Sequence, residues 1–123
     1  MKKTKLFIFF SIFMLSFLQC QSQVSHYIGD QVSHNGQPYE NVLSAFEIDI
    51  ENLRLDVNIV HSEYFQQIKY SIIEMLKRFD SGITIYTIKR TSKDYEELLI
   101  LDKKNNLITI ENDGDTLKFK LKS

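Results

Sequence analysis

The stretch "SEYFQQIKYSIIEMLKRFDSG", residues 62–82, decides how the fold is read from the sequence. Phe65, Ile68, Ile72, Met75, Leu76 and Phe79 recur at steps of three and four. That spacing places apolar side chains on one face of an α-helix. Ser62 is suited to cap the start, with Glu63 at the positive end of the helix dipole. Lys77 and Arg78 fall in the last turn, where cations favour the negative end, and Gly82 follows as a stop. Tyr70 and Ile73 widen the apolar face. The spacing therefore predicts an amphipathic helix pressed against a sheet.

The flanking segments read as strands. In "AFEIDIENLRLDVNIV", residues 45–60, Phe46, Ile48 and Ile50 alternate with acids. Leu53, Leu55, Val57 and Ile59 then alternate in the opposite phase. Two explanations fit. A turn at Glu51-Asn52 pairs Ile48 with Leu55 and Phe46 with Val57 on one face. Alternatively, a bulge keeps one long bent strand in phase with the core. Beyond Gly82, "GITIYTIKR", "EELLILD", "LITIEN" and "TLKFKLKS" are β-branched or alternating. "KKNN" and "NDGD" are hairpin loops between the last three. Lys118, Lys120 and Lys122 would protect a terminal edge strand.

The order from Leu53 is thus β-α-β-β-β-β, an α+β fold with one amphipathic helix packed on a curled antiparallel sheet. This order is similar to the cystatin-like fold, and its helix-then-hairpins part is similar to PepSY-type domains. The resemblance covers residues 53–121 and rests on element order. Cystatins block proteases with a glutamine–x–valine–x–glycine loop. The corresponding position here reads "TSKDYEE", so the inhibitory mechanism does not carry over.

Residues 1–22 read as a cleaved leader. Lys2, Lys3 and Lys5 precede an apolar run from Leu6 to Leu18, shorter than the roughly 20 residues a bilayer span needs. Cys20 and Ser22 are the small residues before a cut at Gln23. The alternative is lipidation of Cys20, but Gln19 replaces the small residue that a bacterial lipobox carries there. Residues 23–41 are a polar N-terminal arm or a hairpin turning at Gly29-Asp30, and residues 42–123 form the single α+β domain.

The whole chain has 15 basic and 16 acidic residues. Without the three leader lysines, twelve bases face sixteen acids. No dense basic patch marks a nucleic-acid footprint, so no nucleic-acid partner is expected. Cys20 is the single cysteine, which excludes an internal disulfide, a thiol nucleophile and a thiolate metal site in the mature chain.

No cofactor, metal or catalytic residue is assigned. His26, Asp30 and His34 are spaced by four, yet the glycines around them argue against a helix that would align them. "ENDGDT" lacks the closing glutamate of an EF-hand loop. Glu47, Asp49, Glu51 and Asp56 form an acidic surface. His61 is the candidate general base, needing a convergent acid from the Glu47–Asp56 region. Tyr39 and Tyr95 fall in loops, where exposed rings would suit a partner.

The sequence thus leads to a small exported bacterial protein, monomeric and periplasmic or extracellular. The expected role is a non-enzymatic binding or interaction module for a protein or small ligand. The alternatives are a small hydrolase using His61, or a structural envelope lipoprotein anchored through Cys20. Contact with membrane would come only through the leader or that anchor.

Overall fold

The computed structural model describes residues 24–61, 63–78 and 81–122, and the leader with Cys20, together with Ser62, lies outside them. Eight strands follow one another: β1 (Val24–His34), β2 (Glu40–Asp49), β3 (Arg54–Val60), β4 (Phe65–Arg78), β5 (Ile83–Arg90), β6 (Glu96–Asp102), β7 (Leu107–Asn112) and β8 (Asp115–Leu121). Each pairs antiparallel with its neighbour in sequence, and β8 pairs back onto β1 to close a barrel.

This architecture overturns the α+β expectation, with its cystatin-like or PepSY-like order. The segment expected to be the helix is β4, the longest strand of the barrel, with 14 residues. Its helical spacing has a specific cause. Ile68, Tyr70 and Ile72 point inward at a step of two, as a strand requires. β4 then pairs Ile72 with Ile88 but Glu74 with Thr87, so Ile73 is an extra residue in a bulge. The bulge shifts the phase by one, and Met75 next faces the buried Tyr86. Two inward sets of period two, offset by one, sum to steps of two and three. Outward apolar residues complete the helical appearance, since Phe65 and Leu76 are 63% and 56% exposed.

The interior is filled from every wall. Phe46, Ile48, Leu55, Val57, Tyr70, Ile72, Tyr86, Ile88, Leu99, Leu101, Ile108, Ile110 and Phe119 form one buried cluster. Each such side chain contributes about 1.5–3 kcal/mol on leaving water. Outward positions mix charge with apolar residues: Glu47 stands opposite Asp56 and Asp56 opposite Lys69, while Leu43, Val60 and Phe65 form an exposed row across β2, β3 and β4. Lys118 and Lys120 lie on β8, which is no edge but half of the closing seam.

β1 runs through Gly29-Asp30 without turning, with a register shift between Gly29 and Gln31. A Cβ at Gly29 would lie 2.5 Å from Ser44 Oγ and 3.2 Å from the Lys120 carbonyl oxygen. The missing side chain lets β2 and β8 close in over β1. There Phe46 and Phe119 meet edge to face, with centroids 5.0 Å apart and planes at 76°.

The β2–β3 connection is the turn rather than the single bent strand. Ile48 pairs with Leu55, Phe46 with Val57 and Asp49 with Arg54. Asp49 and Asn52 hold this turn: the Asn52 backbone and side-chain amides donate to the two carboxylate oxygens at 3.1 and 2.8 Å. Asp102 and Asn105 repeat the arrangement between β6 and β7, at 3.2 and 2.8 Å. Leu53 and Asn106 follow these pairs with φ of 52° and 53°.

Candidate functional site

An up-and-down barrel of eight strands has room inside for its own side chains or for one small ligand. Here the two ends differ. The end made by the close of β1 and β5 and the starts of β4 and β6 is stopped by a polar plug. Arg90 Nε donates to Glu97 Oε1 at 2.9 Å, and Glu97 is only 3% exposed. The Arg90 guanidinium also lies over the Tyr70 ring, 5.7 Å from its centroid. Burial pushes the Tyr70 phenol up to about 12, the Glu97 carboxylate adds to the rise, and Arg90 opposes it.

The opposite end is open. Ser25, Tyr27, Ile50, Met75, Lys77, Thr84, Tyr86, Leu101 and Lys103 line a cavity of about 370 Å³. Four strands, β1, β4, β5 and β6, and the β2–β3 and β6–β7 turns supply these residues. Alternation brings Ser25 and Tyr27 inward on β1, and Thr84 and Tyr86 on β5. The β4 bulge brings Met75 and Lys77 inward, because Met75 pairs with Tyr86 and Lys77 with Thr84. Lys103 enters from the first position of the β6–β7 turn.

The buried Leu101 gives the cavity an apolar floor, and Ile50, Lys77 and Lys103 stand towards its mouth. None of the nine lining residues is acidic. Burial raises the Tyr86 phenol above its ordinary value, and the nearby Tyr27 phenol adds to this. The Tyr86 phenol therefore stays a neutral hydrogen-bond donor at ordinary pH. Two ammonium groups and two phenols above an apolar floor suit a molecule with an anionic head and an apolar body.

The residues singled out in the sequence are dispersed. His26, Asp30 and His34 lie along one extended strand, where eight residues span roughly 26 Å. His26 stands opposite Glu47, while His34 Nε2 lies 3.4 Å from Asp115 Oδ1. Among the described residues, no three His, Cys, Asp or Glu side chains are grouped to hold a metal. "ENDGDT" contains the tight β7–β8 turn, with Asn112 paired to Asp115 and Gly114 at φ 90°.

His61 follows β3 and stacks on Tyr64, with centroids 4.9 Å apart. Asp56 precedes it by five strand residues, roughly 16 Å. Asp49 lies at the other end of the barrel, engaged with Asn52. The register therefore sets His61 apart, along the strands, from Glu47, Asp49 and Asp56. Of the loop tyrosines, Tyr39 sits beneath the Lys120 ammonium at 4.2 Å, and Tyr95 is exposed.

Sequence reasoning missed the cavity residues. Lys77 read as a helix-terminal cation and Lys103 as a loop residue. Alternation within "ITIYTIK" does place Thr84 and Tyr86 on the face of Ile88, and that was the available clue. Among the described residues no helix is long and apolar enough to cross a membrane. No protein-family model, curated protein or solved structure matches the chain.

Proposed function

We propose that this chain is a small exported binding protein that takes one anionic, partly apolar small molecule into the open end of its barrel. One observation carries the reading: Lys77 and Lys103 stand with Tyr27 and Tyr86 around a 370 Å³ cavity that has no acidic lining residue. The volume lies near the lower end of the range of small-ligand sites. Export follows from the leader pattern of residues 1–22. The polar plug at Arg90 and Glu97 leaves one entrance, so ligand enters and departs by the same route.

The test uses anilinonaphthalene sulfonate, a fluorescent anion with an apolar body. The chain has no tryptophan, so the probe's emission is read without indole background. Saturable binding is expected, with NMR shifts at Met75, Tyr27 and Tyr86. Lys77→Glu and Lys103→Glu each weaken it by roughly tenfold or more, the value of one charge-assisted contact. An uncharged phenylnaphthylamine probe is expected to lose less on either substitution. Absence of saturable binding, or shifts confined to the outer wall, would overturn the proposal.

A further inference from the structure

We propose that two copies of this chain pair edge to edge through β4, forming a two-fold dimer centred on Leu76. β4 is twice as long as β3, which has seven residues. Their ladder ends at Arg54 opposite Ser71, followed by one bond from the Ile72 amide to the Leu53 carbonyl at 2.8 Å. Glu74–Arg78 continues, paired to β5 alone. Among the described residues this run has no strand on its other side. Its backbone groups there form a template for another strand.

The side chains of the run are self-complementary. Glu74, Leu76 and Arg78 pair with Thr87, Ile85 and Ile83 and face outward with them. A two-fold axis through Leu76 sets Glu74 opposite the partner's Arg78, Leu76 opposite the partner's Leu76, and Arg78 opposite the partner's Glu74. Cross-strand neighbours of opposite charge stabilise such a ladder, and an isologous contact satisfies both pairs at once. Leu76 is 56% exposed in the single chain, and the half-buried Ile85 lies beside it. The axis would therefore also cover apolar surface. Val24–Tyr27 of β1 is likewise unpaired on its β8 side. Its outward residues, Val24 and His26, offer no pair of opposite charges to a second copy.

Sedimentation velocity over a concentration series tests the pairing. The wild-type chain is expected to double its mass reversibly. Glu74→Arg sets two arginines against each other across both contacts, and Arg78→Glu does the same with two glutamates. Each variant is expected to weaken the dimer by roughly tenfold. Circular dichroism of each variant checks that the barrel is retained. Mixing the two variants is expected to restore the doubled mass as a heterodimer, since Arg then faces Glu at both ends. The double variant Glu74→Arg/Arg78→Glu is expected to dimerise with itself. A chain that stays monomeric throughout would overturn the proposal. So would a dimer indifferent to the single substitutions, or a mixture that stays monomeric.

Discussion

Arg90 and Glu97 form a hydrogen-bonded ion pair within the barrel, Nε to Oε1 at 2.9 Å, with the Glu97 side chain 1% exposed. A pair so placed is sensitive to the loss of either member: without Arg90 the Glu97 carboxylate is left charged and dry, and without Glu97 the largely covered Arg90 guanidinium loses its counter-charge. Glu97→Gln is expected to lower unfolding stability in urea by about 3–5 kcal/mol, and Arg90→Met by a similar amount. The double replacement Arg90→Met/Glu97→Leu is expected to recover most of the loss. A double variant as unstable as the worse single one would show that the pair specifies the packing rather than merely filling space.

Tyr70 makes stability depend on alkali. Its phenol is raised from about 10 in the unfolded chain to about 12 in the folded one, so the folded chain holds the proton longer. The contribution is whole below pH 10 and is lost as pH climbs from 10 through 12. At most it is about 2–3 kcal/mol. Denaturant midpoints measured from pH 9 to 12 should fall in that window, and Tyr70→Phe should flatten this part of the slope.

Gly29 and Ser44 are coupled across the β1–β2 ladder. Ser44 Oγ is buried and has no hydrogen-bond partner, and a Cβ on Gly29 would crowd it at 2.5 Å. Gly29→Ala is expected to destabilise by about 1–3 kcal/mol, as overpacking does. Ser44→Ala alone is expected to be neutral or stabilising, because it removes an unpaired hydroxyl. In the double variant, thermal melts should show the Gly29→Ala penalty reduced. Simple additivity would refute this coupling.

The two Asp-x-x-Asn turns differ in the residue that follows the asparagine. Leu53 holds a left-handed φ of 52° where the other turn has Asn106 at 53°. That region is strained for leucine and tolerated by asparagine. Leu53→Asn should therefore raise the melting temperature, corresponding to about 0.5–1 kcal/mol. Both aspartates titrate below the usual carboxylate range. The Asn52 side-chain amide is the main cause for Asp49, and that of Asn105 for Asp102. Their contribution is present above the unfolded carboxylate pKa and is lost as pH falls through the folded values. Melting curves at decreasing pH should therefore show an acid-limb loss that Asn52→Ala reduces.

Ile73 is the residue the β4 bulge absorbs. Removing it joins Ile72 to Glu74 and leaves Met75 and Lys77 facing inward as before. Deletion of Ile73 is expected to yield a folded barrel within about 2 kcal/mol of the parent and to keep probe binding. Deletion of Leu76 instead swings Lys77 to the outer wall and should abolish it. Equal damage from both deletions would show that the bulge matters for more than phase.

The strands from Ile83 onward, with their hairpin loops, were legible because strict alternation in "TLKFKL" or "LITIE" matches one conformation only. The pairing of Phe46 with Val57 was only one of two readings of the phase slip after Ile50, because a bulge would account for that slip equally well. β4 was not legible, because the bulge at Ile73 gave apolar residues a spacing close to that of a helix turn. With a helix placed there, closure was out of reach, and so was the convergence of Lys77, Lys103, Tyr27 and Tyr86. These four become neighbours only when β1 and β8 complete the ring. A local period cannot report a contact that depends on the number of strands.

The β1–β8 seam joins His34 to Leu117 and Gly29 to Leu121, so nearly the whole barrel sequence lies between its two halves. Forming it requires closing a very long loop, a slow kind of event in folding. Until the last strand has been made, β1 lacks one of its two neighbours and the core remains open to water. The final strand therefore acts as a latch: the seven hairpin pairings can form one after another, but only β8 meeting β1 shuts the interior away from water.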